Sequence, residues 1–498
     1  MRKALSRNAD VVLVLIAGYF LLAVAARLIR SPALEVDETQ QALFSQFLLF
    51  GYGSQPPIYT WLQYGANAIL GPSVAALSLL KNGLMFFCCL YVWLAARLLI
   101  REKALVNIAT LGVITLPTVF VMVQRDLSHT VLALFAVALS IYALFSTLQK
   151  PTAWGYILTG AAIGLGALSK YNFVVLPVAA LIAIALEKDM RARLLDWRML
   201  LTIAAALAIA TPHIMWVRDH LNLAVSQTTT EMREGDDDVV FHALEGSLEL
   251  LFAFVKGMAL TTAIYALLFF KDLKAIIRAS DQSTRIVGRI MLISFICVML
   301  IIWGLGATQV RQKWVTVYLL LWPLYLALKV QAAGILAERK LPSMLAITAT
   351  LSVGFVIVLL SRGLIAPYFE RYSLVHIPYD KFGEAVRKDG QPEPRYVIAS
   401  GGLVGGNLKM QFPNATVFSG NKDIETLPAK WPAGAIVLLA GTSDDGVMPE
   451  NPGAELAKLA QRSALPAPTE IRNANVPYTG KGNKRHAFYY AWETIPAR

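Results

Sequence analysis

The stretch VVLVLIAGYFLLAVAARLI at 11–29 decides the fold class. It is 19 residues long, and Arg27, near its end, is its single charge. As a helix rising about 1.5 Å per residue it is about 28 Å long, close to the roughly 30 Å hydrocarbon core of a bilayer. A cleavable leader would be shorter and would close on small residues. Here Arg27, Arg30 and Pro32 follow instead, so the segment reads as a retained membrane span.

Working outward, the same pattern recurs. Further apolar runs lie at about 73–96, 104–123, 128–148, 153–169, 172–187, 199–217, 247–270, 287–306, 314–331 and 342–361, giving an expectation of eleven spans. The composition agrees: 56% of the 498 residues are hydrophobic and 16% charged, against about 45–50% and about 25% in soluble domains. A soluble enzyme, a disordered scaffold and a disulfide-knit secreted domain are excluded. The three cysteines, Cys88, Cys89 and Cys297, sit inside apolar runs and read as packing residues.

The 45 Lys and Arg against 33 Asp and Glu leave a formal charge of +12. They fall mostly in short loops between apolar runs, the topology signal of a membrane protein. No basic stripe with interleaved aromatics supports nucleic-acid binding. Arg97, Arg101, Lys103, Lys150, Arg191, Arg193, Lys271, Lys274 and Arg339 mark one loop set as cytoplasmic. The opposite set is poorer in cations, so 30–72, 218–246 and everything after about 362 face outward. Two domains are expected. Residues 1–366 form the transmembrane part, with 30–72 as its outward first loop. Residues 367–498 form a small extracytoplasmic α/β domain, with strands at 395–399 and 435–440 and a helix at 453–462. Gly401, Gly402, Gly405 and Gly406 read as a tight turn, since their spacing is not the dinucleotide fingerprint.

Ionisable residues gather at the outward helix ends. Asp37 and Glu38 follow the first span. Asp37 suits an N-cap for a helix over 38–50; a carboxylate at the interface can also accept a proton from a hydroxyl. Gln55-Pro56-Pro57 forms an extended turn after them. Arg125 and Asp126 lie at the next outward junction, either as an ion pair closing a hairpin or as a second carboxylate on the face of Asp37. Lys170 and Tyr171 follow the 153–169 run. Snorkelling to the interface explains them, and so does a point charge for a phosphate. Arg311 and Lys313 open the 314–331 run from outside, against the positive-inside trend, which suits an anionic head group. His213 reads as a packing residue. Asp236, Asp237 and Asp238 form an acidic run suited to solvent or, weakly, to a hard cation; metal dependence stays open.

Taken in order, D37-E-T-Q, QPPIYTWL at 55–62, the Asp126 junction, GLGALSKY at 164–171, PHIMW at 212–216 and KWVTVYLLLWP at 313–323 resemble the polytopic glycosyltransferases of family 39, of the GT-C fold group. The resemblance covers roughly 10–330, with GGNLKMQFP at 405–413 similar to the bacterial soluble domain. It is nearest to the branch of lipid A aminoarabinose and rhizobial lipopolysaccharide galacturonosyl transferases, related to the protein O-mannosyltransferases. It implies an all-α polytopic GT-C fold in the bacterial inner membrane, facing the periplasm. It also implies an inverting transfer from a polyprenyl-phosphate sugar donor to a hydroxyl of a lipopolysaccharide, another glycan or a protein. Asp37 matches the family's catalytic carboxylate and Asp126 its second aspartate, with Glu38 or Asp126 orienting. Lys170, Arg311 and Lys313 become phosphate ligands, with Gln55, Arg125 and Tyr171 beside them. One position departs from the pattern. Family members often carry Lys before the Pro-Pro pair, whereas Gln55 supplies a hydrogen bond and no charge.

Two other readings compete. A lipid-linked-sugar flippase would place charges at mid-membrane on broken helices; here they collect at the outer ends. A scaffold whose tail recruits an envelope partner would need an exposed apolar patch on that tail.

Overall fold

The computed structural model describes residues 9–224, 239–305, 307, 309–419, 427–428, 430–443, 445–480 and 482–495. The acidic run at 236–238 lies outside them. Among the described residues, eight helices are long and apolar enough to cross a membrane: Val11–Arg30, Val74–Leu99, His129–Gln149, Met199–Asp219, Leu244–Leu268, Gln282–Leu305, Gln312–Ala332 and Glu338–Leu364. The expectation of eleven full-length spans is corrected at three places. The apolar helices Lys103–Ile114, Ala153–Ala167 and Tyr171–Ala185 are shorter, about 18–23 Å by helical rise. The first stops because the chain tightens at Thr115 and leaves Pro117 through the π-helical turn Thr118–Val123. The other two are one apolar stretch broken by the turn at 168–170.

The chain divides into two compact units. One comprises Met1–Leu22, Gly53–Tyr59 and Lys81–Phe355. It is a helical bundle whose interior is Leu, Val, Ile and Ala. Close packing is built into the sequence at Gly160: a Cβ there would stand 2.2 Å from the Thr202 carbonyl oxygen. The helices Ala153–Ala167 and Met199–Asp219 therefore touch backbone to backbone, as small residues permit in membranes.

The other unit comprises Ala23–Tyr52, Thr60–Leu80 and Val356–Arg498. Its centre is a five-stranded sheet in the order β2-β1-β3-β5-β4, with β1 Tyr396–Ala399, β2 Thr416–Ser419, β3 Ile436–Thr442, β4 Arg472–Pro477 and β5 Arg485–Thr494. β1 is parallel to β2 and β3; β5 is antiparallel to β3 and to β4. The apolar runs of β1 and β3 are buried on both faces, as parallel strands are. The helix Pro452–Arg462, capped by Asn451, buries Leu456, Leu459 and Ala460. The expected glycine turn is instead the start of the helix Gly402–Gln411. Its glycines serve packing: a Cβ on Gly406 would lie 2.4 Å from the Thr39 Cα and from the Thr39 carbonyl oxygen. Thr39 belongs to the helix Val36–Phe44, the element of the first outward loop.

Candidate functional site

The helix Val36–Phe44 starts two residues earlier than the sequence suggested and ends sooner. Its N-cap is Glu35, not Asp37, and Glu35 and Glu38 form a reciprocal capping box. The Glu35 N–H donates to Glu38 Oε2 at 3.0 Å. Glu38 is buried, and the Arg27 guanidinium grips it with Nε to Oε1 at 3.0 Å and Nη2 to Oε2 at 2.6 Å. Arg27 also donates to the carbonyls of Ser31 and Ala33. This forked geometry is the strong form of a carboxylate–guanidinium pair. It ties the last turn of the first span to the loop helix. Arg30 and Glu35 form a second buried pair through a single contact, Nη2 to Oε1 at 3.3 Å. Asp37 stands between these two acids in sequence, in the first helical turn, and is half-buried. The sequence showed Arg27 only as the single charge of the first span; an acid eleven residues on was the available signal of its partner.

In the bundle unit, four segments at helix ends converge. The Ile58 N–H, just after Gln55-Pro56-Pro57, donates to the Leu168 carbonyl at 3.4 Å. The Tyr59 and His129 rings pack with centroids 5.5 Å apart. Lys170 Nζ donates to Thr130 Oγ1 at 2.9 Å and to the Lys313 carbonyl at 3.3 Å. Asn172 Nδ2 donates to the Trp314 carbonyl at 2.6 Å, while the Tyr318 hydroxyl donates to the Asn172 carbonyl at 2.7 Å. The segments holding Gln55, Asp126, Lys170 and Lys313 are thereby linked by short bonds. Gln55, Asp126, Lys170 and Lys313 are half-buried; Arg125, Tyr171 and Arg311 are exposed. The Arg311 guanidinium lies over the Trp314 ring, 6.0 Å from its centroid.

Tyr171 begins an aromatic column. Its hydroxyl is 3.1 Å from His213 Nε2, and the Tyr171, His213, Trp216 and His220 rings follow in near-parallel steps of 5.8, 5.7 and 4.7 Å. His213 is thus a packing residue that also orients the tyrosine. His129, Asn172 and Tyr59 lay inside motifs the sequence offered without a role of their own, and Thr130 lay outside them, because a polar residue on a long apolar segment carries no distinct pattern. Among the described residues, no group of three or more His, Cys, Asp or Glu side chains is placed to hold a metal ion.

Comparison with known proteins follows the same lines. Residues 54–216 match the family described as dolichyl-phosphate-mannose-protein mannosyltransferase. The crystal structure of ArnT from Cupriavidus metallidurans bound to undecaprenyl phosphate superposes with a TM-score of 0.65 at 12% identity, covering 97% of each chain; that likeness is one of fold. Together with the helical bundle and its appended sheet, that likeness defines the fold class, a polytopic membrane protein of the GT-C type. The sequence is 35% identical over 503 residues to the lipopolysaccharide core galacturonosyltransferase RgtB of Rhizobium johnstonii, spanning 100% of both chains. It is 37% identical over 486 residues to RgtA of the same organism, spanning 96% of both. The chain belongs to the family of these rhizobial galacturonosyltransferases.

Proposed function

We propose that this glycosyltransferase moves galacturonic acid from a polyprenyl-phosphate carrier to a hydroxyl of the lipopolysaccharide core, on the periplasmic face of the inner membrane. The sugar and the acceptor rest on the full-length similarity to RgtA and RgtB. The donor class rests on the motif resemblance, and the ArnT structure of the same fold holds undecaprenyl phosphate. The observation that carries the reading is the meeting of four helix-end segments around the Lys170 ammonium. A prenyl tail lies in the bilayer, so its phosphate sits at the interface, where such a cluster is of use. Residues 1–366 are assigned the transfer reaction, and 367–498 a periplasmic supporting role.

In the proposed reaction the acceptor oxygen attacks the anomeric carbon. The C1–O bond to the carrier phosphate breaks, the new C1–O bond forms on the opposite face, and the configuration inverts. The acceptor proton passes to the Asp37 carboxylate. The departing polyprenyl phosphate is already a stabilised anion, so a strong general acid is not required. Lys170, with Arg311 and Lys313, binds the carrier phosphate as point charges, equally in the bound donor and in the transition state. Gln55, Arg125 and Tyr171 are assigned to donor binding, and Asp126 to orienting the acceptor. Glu38 is assigned to holding the helix, since Arg27 and the Glu35 amide engage both its oxygens.

Purified protein in proteoliposomes, given polyprenyl-phosphate galacturonate and a lipopolysaccharide core acceptor, should yield acceptor heavier by one hexuronate residue. Transbilayer movement of the labelled donor with no product would replace this reading with the flippase.

A further inference from the structure

The loop helix that carries Asp37 is held by the sheet-containing part of its own unit, at both ends and in the middle. Before the helix, the Ser31 hydroxyl donates to the Val375 carbonyl at 2.5 Å. The Leu34 N–H, three residues before Asp37, donates to Asn407 Oδ1 at 2.8 Å. After the helix, the Gln46 side-chain amide pairs with Val417 in both directions. Its Nε2 donates to the Val417 carbonyl at 3.0 Å, and the Val417 N–H donates to its Oε1 at 2.9 Å. Val417 lies in β2, the edge strand, so the Gln46 amide acts as one more rung on the sheet. In the middle, Gly406 lets the helix Gly402–Gln411 approach the Thr39 backbone directly. Leu43 and Phe44 complete the contact, sharing one apolar cluster with Val404, Leu408 and Phe412.

Asn407 stands out among these anchors. It is 2% exposed, and its other amide end is also used, Nδ2 donating to the Leu403 carbonyl at 2.9 Å. Both ends of the amide therefore have backbone partners, and its orientation is fixed. A buried N–H left without an acceptor is strongly disfavoured, so the Leu34 amide holds to Asn407 or the entry to the helix moves. We propose that Asn407 is a positioning residue for transfer: it fixes the chain at Leu34, and through that the placement of Asp37. By this device the C-terminal part takes part in catalysis without touching substrate. The inference rests on Asp37 being the base.

The test is steady-state transfer by the full-length protein, with hydrogen exchange read at residues 34–38. Asn407→Ala should lower kcat roughly tenfold to a hundredfold, the range a displaced catalytic group produces. Donor KM should stay within about twofold, and the 34–38 amides should exchange faster. Gln46→Ala, at the other end of the segment, should show a smaller change of the same kind and serves if Asn407→Ala does not fold. Unchanged kcat per folded Asn407→Ala molecule, with Asp37→Asn inactive, would overturn the positioning role and leave the base assignment standing. An unfolded Asn407→Ala protein beside a Gln46→Ala protein of normal kcat would overturn it too. An active Asp37→Asn protein would remove the base assignment, and this inference with it.

Discussion

The loop helix Val36–Phe44 and the turn at 168–174 are fixed in different ways. The helix is held by carboxylate–guanidinium pairs in its own neighbourhood and by partners far along the chain: Leu34 to Asn407 spans 373 positions and Gln46 to Val417 spans 371. The turn is held by membrane-helix ends, Lys170 reaching Thr130 and the Lys313 carbonyl and Asn172 reaching Trp314. The contrast suits the two jobs proposed for these regions. A proton acceptor needs placement against an attacking oxygen, where small displacements are costly. A phosphate ligand acts through a point charge and tolerates looser geometry. Changes in the first region should therefore appear in kcat, and changes in the second in donor KM.

The sharpest way to break this contrast is Asp37→Asn. The amide keeps shape and cannot take the proton, so kcat should fall by about 10³-fold with insertion and thermal stability unchanged. Measuring kcat and donor KM separately decides it: a loss confined to KM would move Asp37 to the binding side.

Next in size is Arg27→Met. Removing one partner of a buried ion pair strands the other and costs about 3–5 kcal/mol. Thermal unfolding should start in the loop helix and sheet unit. The double change Arg27→Met with Glu38→Leu should recover most of the loss. Failure to recover would mean that the Glu38 bond to the Glu35 N–H, also lost in the double change, outweighs the removal of the stranded charge.

These residues also show what was legible in the sequence. The apolar runs announced the helices, and eight of them proved long enough to span, because a bilayer leaves few other solutions. Strands β1 and β3 were visible as short apolar runs, being buried on both faces. Strands β2, β4 and β5 were not. β4 alternates with polar residues, and β5 mixes aromatics with charge. At the outward ends, charged residues were easy to find. Their partners were not, because Asn407, Gly406 and Val417 become relevant only when the chain brings them back across hundreds of residues. Glu38 read as an orienting group beside Asp37, and its buried tie to Arg27 was not legible from its position.

A third prediction concerns the sheet that anchors the helix. His486 on β5 is buried, between Thr442 Oγ1 at 2.8 Å and the Tyr478 hydroxyl at 2.9 Å. Burial holds its imidazole down to about 4, from an ordinary 6.5. The folded form thus resists protonation that the unfolded chain accepts. Stability is whole above pH 6.5 and falls as pH drops from 6.5 towards 4, by up to about 3 kcal/mol. Hydrogen exchange of the β5 amides between pH 7 and 4.5 should show that slope, and His486→Gln should flatten it. If the sheet loosens in acid, kcat should fall with it while donor KM holds.

The smallest expected effect tests the other half of the comparison. Gln55 stands before Pro56-Pro57, in the segment whose Ile58 amide bonds to the Leu168 carbonyl, so it shares a neighbourhood with the Lys170 turn. A second ammonium there should attract the donor phosphate. Gln55→Lys should lower donor KM about tenfold at low ionic strength, with kcat nearly constant, and the gain should shrink as salt screens it. A single-turnover titration of donor at two salt concentrations separates the outcomes. An unchanged KM would mean that Lys170, Arg311 and Lys313 already saturate the phosphate. A change in kcat instead would mean that the turn also places reacting atoms, and the division between the two regions would not hold.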